Sequence, residues 1–220
     1  MRLFLNSFIF LVLFCWPLFG KEINKSYVVK VGGIKIGELN WQIKIESDKY
    51  LNQINLKSKG LLSAIYSFKG EYFSEGLTQN NKLIPKNYKH FWQTKKTVKK
   101  MELVFNESKL ISLEQSPTEE EEIRLNVFSV KYTSDPLTSF QKIMMGEKNA
   151  LVVDGRRLYT MIARPGKNES QTIIEISNYS NLWADHKRNK FEKIIFEKKI
   201  TEILPHKMHI YFDGKIFKLE

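Results

Sequence analysis

The sequence predicts a mainly β protein built on an antiparallel sheet, with one clear helix. Alternation of apolar and polar residues with a period of two dominates the chain from residue 26 onward, which is typical of half-buried strands. Gly-Gly and Asp-Gly pairs separate the alternating runs, as they do in β-hairpins. Only residues 134–146 combine helix-capping residues with apolar residues at helical spacing.

Residues 1–20 have the layout of a secretory signal peptide. Arg2 supplies one cation, an apolar run follows at residues 8–19, and the small residue Gly20 precedes polar sequence. We expect cleavage after Gly20, which would leave residues 21–220 as a single mainly β periplasmic domain. The apolar run falls short of the ~20 residues that span a bilayer comfortably, so an uncleaved inner-membrane anchor is the alternative. No other apolar run approaches that length, so we expect no transmembrane domain after processing.

The composition narrows the chemistry and the partners. The only cysteine is Cys15, so a processed chain has no disulfide, no thiolate nucleophile and no thiolate metal ligand. The chain has 35 basic and 24 acidic residues, a net charge of +11 that becomes +10 without Arg2. Export argues against nucleic acid as the partner of this charge. Scattered lysines favour a solvated surface, and attraction to lipid phosphates or lipopolysaccharide is the functional alternative.

The first predicted elements form a β-hairpin. Alternating residues 26–31 and 34–45 flank Gly32 and Gly33, which suit a tight turn. The alternation changes phase at Gly37, where a glycine indicates a β-bulge. Further strands are expected at residues 50–59, 68–74, 87–93, 97–105, 109–114, 171–178 and 190–203, with one or two helical turns at 60–68 and an exposed acidic loop at 116–122.

The predicted helix lies at residues 134–146. Asp135 stands where an N-cap belongs, Pro136 takes the first helical position and Gly146 suits the C-terminus. Leu137, Phe140, Ile143 and Met144 fall on one face. We expect this face to pack on the sheet.

Two later hairpins share one turn chemistry. Asp154-Gly155 and Asp213-Gly214 each separate two apolar alternating runs, and Asp-Gly accepts the positive φ that tight hairpin turns need. Only the first pair is followed by two arginines, Arg156 and Arg157. A turn with solvated arginines is the favoured interpretation, and a charged binding site is the alternative.

Several landmarks, taken in order, resemble an exported proteobacterial family catalogued as domain of unknown function 3108. The landmarks are Gly32-Gly33-Ile-Lys-Ile-Gly37, Ser58-Lys-Gly60-Leu-Leu, Gly76 with Pro85, Asp135-Pro-Leu-Thr-Ser, Asp154-Gly155-Arg156-Arg157-Leu-Tyr159 and Leu204-Pro205. The likeness covers most of residues 26–219. It implies a periplasmic protein of antiparallel strands, akin to the half-open β-barrels that carry lipoproteins, and it supplies no catalytic residue or cofactor.

The search for catalytic and metal-binding patterns selects no residue. The four histidines, His90, His186, His206 and His209, are expected at the surface. In a strand, the odd offset between His206 and His209 sends them to opposite faces, so we predict no metal site. There is no Gly-x-Ser-x-Gly elbow and no phosphate-binding loop. We therefore predict no catalytic residue and no cofactor. An enzyme whose catalytic groups converge in space without a sequence motif stays open as a third hypothesis.

Aromatic residues make up 13% of the chain and suggest a ligand cavity. A curved sheet with a helix across its concave side often leaves an apolar cavity, and paired arginines can grip an anionic head group. The candidates for the lining are Trp41, Tyr66, Phe68 and Phe140, and those for the head group are Arg156 and Arg157. Packing in the hydrophobic core is the favoured interpretation of each aromatic residue, and lining a cavity is the alternative. The hypothesis is a non-catalytic binder of an apolar or amphipathic envelope component, such as a lipid or a lipopolysaccharide-like molecule. The alternative is an envelope scaffold that docks on another protein through its basic or edge-strand surface.

Overall fold

The computed structural model describes residues 20–60, 63, 67–183 and 190–220. Within them the chain forms fourteen strands, one α-helix and a 3-10 turn at Val127–Ser129. The strands before the helix are β1 (Lys21–Val31), β2 (Ile34–Ile45), β3 (Lys49–Ser58), β4 (Phe68–Gln79), β5 (Lys82–Thr94), β6 (Val98–Asn106), β7 (Lys109–Ser116) and β8 (Thr133–Ser134). The helix α1 (Pro136–Met144) is followed by β9 (Asn149–Val153), β10 (Arg157–Pro165), β11 (Gln171–Asn181), β12 (Phe191–Glu197), β13 (Lys207–Phe212) and β14 (Lys215–Leu219).

All fourteen strands belong to one sheet that curls into a nearly closed barrel. The strand order is β7-β6-β5-β4-β3-β2-β1-β14-β13-β12-β11-β10-β9-β8, and each neighbouring pair is antiparallel except β8 with β9. Strands β7 and β8 meet at a seam, where the backbone N–H of Thr133 donates to the carbonyl oxygen of Ser108 over 2.8 Å. The prediction of a mainly β, antiparallel, half-open barrel with a helix packed on it is confirmed.

Two hairpin turns have the geometry that their sequences predict. Gly32 and Gly33 have φ values of 55° and 83°, and Asp213 and Gly214 have values of 54° and 67°. Each pair joins strands that are hydrogen-bonded up to the residues flanking it. Positive φ at both central residues matches the right-handed twist of the strands, which is why glycine and aspartate occur there.

Gly37 lies at the predicted β-bulge. Val29 pairs with Gly37, whereas the next residue, Lys30, pairs with Lys35, so β2 carries one extra residue at this point. A Cβ atom on Gly37 would lie 2.6 Å from the carbonyl oxygen of Lys57 on β3. Glycine is therefore needed here for close approach of two backbones rather than for a positive φ.

The turns alternate between two ends of the barrel because successive strands run antiparallel. The arginine end is defined by the turns at residues 32–33, 95–97, 154–156 and 213–214. The helix end is defined by the turns at residues 46–48, 80–81, 107–108 and 198–206.

Helix α1 has the predicted caps and packs inside the barrel near the helix end. Asp135 accepts a hydrogen bond from the backbone N–H of Thr138 over 2.9 Å, and Gly146 ends the helical segment with a φ of 107°. The ring of Phe140 lies between those of Trp41 and Phe196, with centroid distances of 5.6 Å to each. These rings are buried, so the apolar face of α1 fills this part of the barrel.

Some boundaries differ from the sequence expectation. Strand β1 begins at Lys21 rather than at residue 26, and β12 ends at Glu197 because residues 198–206 turn at the helix end. The predicted signal peptide, the predicted helical turns at 60–68 and Tyr66 lie wholly or largely outside the described residues. Among the residues described, none of the helical segments has the length and hydropathy that spanning a bilayer requires.

A candidate ligand-binding chamber at the arginine end

A buried polar network fixes α1 against the inner face of the sheet. Asn52 on β3 is fully buried. Its side-chain oxygen accepts from Trp41 Nε1 over 2.7 Å, and its amide nitrogen donates to Gln141 Oε1 over 3.0 Å. One asparagine thus links two strands to the helix, and each of its bonds satisfies a group that would otherwise be buried without a partner.

A second group of buried polar side chains surrounds the start of the helix. The hydroxyl of Thr138 donates to Asp135 over 2.6 Å and lies 2.7 Å from the hydroxyls of both Ser74 and Tyr50. Ser74 also donates to Asp135 over 3.0 Å. Burial raises the pKa of Asp135, and the hydrogen bonds from Thr138 and Ser74 oppose that rise. The first turn of α1 is therefore held rigidly in the middle of the barrel.

A cavity of about 440 Å³ lies between this first helical turn and the arginine end. Inner-face residues of β2 to β7, β10 and β13 form its wall, and Pro136 and Leu137 form its floor. We call this cavity the chamber. Its lining residues are Leu39, Ile54, Leu56, Tyr72, Tyr88, His90, Lys99, Lys100, Met101, Gln115, Ser116, Pro136, Leu137, Asp154, Arg156, Arg157, Tyr159 and Ile210.

Cations border the chamber at the arginine end. Lys99 and Arg156 line it, and neither forms an ion pair with an acidic side chain within the described part of the chain. Arg157 is placed differently: its guanidinium lies 3.4 Å from a carboxylate oxygen of Asp154 and 5.7 Å from the ring centre of Tyr179. Lys100 also lines the chamber and forms no ion pair among the described residues, so Arg156, Lys99 and Lys100 are the cations available to a ligand.

Two polar side chains in the chamber wall lack hydrogen-bond partners. His90 Nε2 is buried without one, and so are both the oxygen and the nitrogen of the Gln115 side-chain amide. Burial, together with the nearby positive charges of Arg156 and Lys99, lowers the pKa of His90 to about 4. The ring of His90 stacks on Tyr72 with 4.5 Å between centroids, so the imidazole is held in place. Buried polar atoms without partners call for a ligand or water.

The Asp154 hairpin holds Arg156 and Arg157 at the edge of the chamber. Asp154 Oδ1 accepts from the backbone N–H groups of Arg156 and Arg157 over 2.9 and 2.7 Å. Gly155 has a φ of 82°, and its carbonyl oxygen accepts from Trp183 Nε1 over 3.1 Å. A hairpin turn lies here as predicted, but Gly155 has a positive φ and Asp154 does not, so this turn differs from that at Asp213-Gly214. Arg156 and Arg157 are half-buried at the cavity, and the expectation of solvated arginines is wrong.

Two other depressions are less suited to a charged ligand. A cavity of about 290 Å³ between β10, β11 and β12 shares Asp154, Arg157 and Tyr159 with the chamber, and its shared cation is the one already paired. A depression of about 500 Å³ over β4 to β7 shares His90 and Gln115 with the chamber, but three glutamates line it and its Lys89 forms an ion pair with Glu102 over 2.9 Å. The chamber is thus the candidate site.

The structure separates the residues that the sequence grouped as candidates. Arg156 and Arg157 line the chamber. Trp41 and Phe140 pack against each other in the core beside α1, and Phe68 stacks on Trp92 with 5.6 Å between centroids. Those three aromatic residues are not among the chamber's lining residues.

Sequence reasoning missed most of the chamber's lining, including the polar residues His90, Lys99 and Gln115. His90 was expected at the surface, but it is half-buried and faces the barrel interior, so that expectation is wrong for this histidine. The alternation of Tyr88, His90 and Trp92 along β5 indicates that these three side chains share one face of the strand, and it could have placed His90 in the barrel interior. Lys99 and Gln115 lie on the inner faces of β6 and β7 by the same period of two.

The fold and the site together define a class: a nearly closed antiparallel β-barrel, plugged at one end by a helix and with a partly polar chamber at the other. Residues 26–139 match the profile of a family described as Protein of unknown function (DUF3108). Because the match covers slightly more than half of the chain, the chain belongs to this family.

Comparison with solved structures and curated proteins adds little to the family assignment. The chain is similar to the crystal structure of a beta-barrel-like protein of domain of unknown function DUF1849 from Brucella abortus, with a TM-score of 0.49 and 9% sequence identity. The similarity covers 90% of this chain and 94% of the other. No curated protein matches the chain significantly.

Proposed function

We propose that this protein binds an anionic amphiphile in the chamber without chemically changing it. The apolar part of the ligand lies against the barrel wall, and its anionic head lies between Arg156 and Lys99. The observation that supports the proposal is the combination of an apolar wall, cations without acidic partners among the described residues, and unsatisfied polar atoms of His90 and Gln115 in one cavity.

The chamber suits a small apolar group. Its volume of about 440 Å³ falls within the range of roughly 300–1,000 Å³ of small-molecule sites. Leu39, Ile54, Leu56 and Met101 supply aliphatic or thioether surface, and Ile210 closes the far side from β13. Burying an alkyl chain here gains about 25 cal/mol for each Å² removed from water.

The polar groups suit an anionic head. Arg156 and Lys99 supply charge, and the amide nitrogen of Gln115 supplies hydrogen-bond donors. An anion would also satisfy His90, because its negative charge favours the protonated imidazole, which donates from both ring nitrogens. A neutral ligand would leave these cations uncompensated.

The electrostatics favour binding over catalysis. With a pKa lowered to about 4, His90 is a weak base at neutral pH. Asp154, a carboxylate that lines the chamber, already accepts two backbone hydrogen bonds and faces Arg157. The chamber's polar groups thus serve recognition.

The proposal includes location in the periplasm. The signal-like residues 1–20 and the net charge of +11 support it, since an exported basic carrier meets anionic lipids and their head groups in an envelope.

The test is binding of a dansyl-labelled alkylsulfonate, which stays ionised, to the purified full-length chain. We expect saturable binding with one site. Arg156→Ala should weaken it about tenfold or more, since a charge-assisted hydrogen bond contributes about 1.5–3 kcal/mol. Arg164→Ala is the matched control, because Arg164 is exposed on β10, pairs with Glu175 over 2.6 Å and does not line the chamber.

A second variant tests the apolar part. Leu56→Trp should fill the chamber and abolish binding while the far-ultraviolet circular dichroism stays that of a folded β protein. Native mass spectrometry and lipid extraction of the protein purified from cells would identify a natural ligand class. Equal affinities for the wild type, Arg156→Ala and Leu56→Trp would refute the proposal and favour the scaffold alternative.

A further inference from the structure

The helix end carries an exposed apolar cluster that the fold does not use. Ile200 is 98% exposed, Tyr132 is 81% exposed and Met145 is 44% exposed. They come from three separate loops and line one groove at this end of the barrel. Single exposed apolar residues are ordinary, but several that converge on one groove indicate a surface that is covered in use.

Tyr132 is held in a strained backbone conformation. Its φ is 60°, in the left-handed region that bulky residues avoid. The next residue, Thr133, is fixed by the bond to Ser108 at the barrel seam, so the strain directs the tyrosine ring outward. The ring lies 81% exposed, so packing within the fold does not account for a tyrosine at this position.

The groove is also basic. Four lysines and two glutamates line it. One of the glutamates, Glu202, already faces Lys25 and Lys199 at 3.6 Å each. Burial lowers the pKa of Lys142 and of Lys198, so both ammonium groups would gain from an approaching anionic surface.

We propose that the helix end docks on an anionic lipid bilayer, with Ile200, Tyr132 and Met145 entering the interface and the surrounding lysines contacting lipid phosphates. Exposed apolar side chains on loops, an amphipathic tyrosine and nearby cations are what interfacial binding requires. Lys21, where the chain enters β1, lines the same groove. The chamber then opens away from the membrane. A protein partner is the competing occupant, and the excess of lysines over glutamates in the groove favours the anionic bilayer.

The experiment measures which end of the barrel contacts the bilayer. Membrane binding through residues 1–20 alone therefore does not decide the result. Two single-cysteine full-length variants, Ile200→Cys and Ile34→Cys, are made on a Cys15→Ser background and labelled with an environment-sensitive fluorophore. Ile34 is the matched control because it is 58% exposed and lies at the arginine end. Each protein is mixed with vesicles of phosphatidylglycerol and phosphatidylcholine, with and without brominated acyl chains.

We expect the label at position 200 to shift to the blue and to be quenched by the brominated lipid, and the label at position 34 to do neither. On the unlabelled chain, Ile200→Ser should lower vesicle partitioning about tenfold where residues 1–20 have been removed by processing. Arg156→Ala should leave the label response unchanged, which separates this proposal from ligand binding in the chamber. Equal responses at both positions, a response at position 34 alone, or none at either would overturn the proposal.

Discussion

Replacing Asn52 with alanine tests whether the barrel interior depends on the polar link between α1 and the sheet. The substitution removes the acceptor of Trp41 Nε1 and the donor to Gln141 Oε1, at 2.7 and 3.0 Å. Both partners remain buried, since Trp41 is 3% exposed and Gln141 is fully buried. Water therefore cannot replace the lost bonds without rearrangement of the core.

The expected loss follows from the two orphaned groups. Each buried polar group left unsatisfied costs about 1–3 kcal/mol, so the free energy of unfolding should fall by about 2–6 kcal/mol. With a urea m-value of about 3 kcal/mol per molar, the unfolding midpoint should drop by roughly 0.7–2 M. A domain of ordinary stability, about 5–15 kcal/mol, remains folded in most of this range.

The assay is urea unfolding followed by tryptophan fluorescence and by circular dichroism. Asn55→Ala is the control, because Asn55 is on the same strand three residues away and therefore on the opposite face. It should cost less than about 0.5 kcal/mol. A double-mutant cycle with Trp41→Phe isolates the indole bond, since Asn52→Ala should cost about 1–3 kcal/mol less in that background.

The reasoning fails if Asn52→Ala costs no more than Asn55→Ala. It also fails if the cycle with Trp41→Phe shows no coupling, because the indole bond would then contribute nothing to stability.

Three further predictions concern single positions. The pKa of His90 is about 4 in the folded chain, below its ordinary value of 6.5. As the pH falls, the unfolded chain is protonated first, so the free energy of unfolding should fall by at most about 3 kcal/mol between pH 6.5 and 4. In urea unfolding, the wild type should lose up to this amount more than His90→Asn does over the same pH range. In thermal unfolding, Gly155→Ala should lower the free energy of unfolding by about 1–3 kcal/mol more than Gly214→Ala does. Both glycines have a positive φ, but only a Cβ atom at position 155 would overlap Met101; equal losses would contradict this. Tyr132→Asn should raise the free energy of unfolding by about 1 kcal/mol in urea, as asparagine tolerates positive φ; a loss of stability would count against the strain argument.

The sequence alone determined the class of fold and most of its local features, namely turns, a β-bulge and helix caps. The turns at Gly32-Gly33 and Asp213-Gly214, the bulge at Gly37 and the caps of α1 follow from residue types within a few positions of one another. Such features depend on local sterics and hydrogen bonds, which are the same in any surrounding structure. The alternation also indicated which face of each strand is buried.

Only the tertiary structure decided which part of that buried face is filled and which part is open. Closure of the sheet pairs Val29 with Leu219, residues at opposite ends of the chain, and so sets the width of the barrel. The position of α1 inside it depends on Asn52 and its partners, which come from separate elements. Trp41 thereby becomes core, while His90 faces the chamber, although both lie on inward faces. The period-two pattern shows to which face of the sheet a side chain points, but not whether it is packed in the core or lines a cavity. That second property depends on contacts between residues that are far apart in the chain.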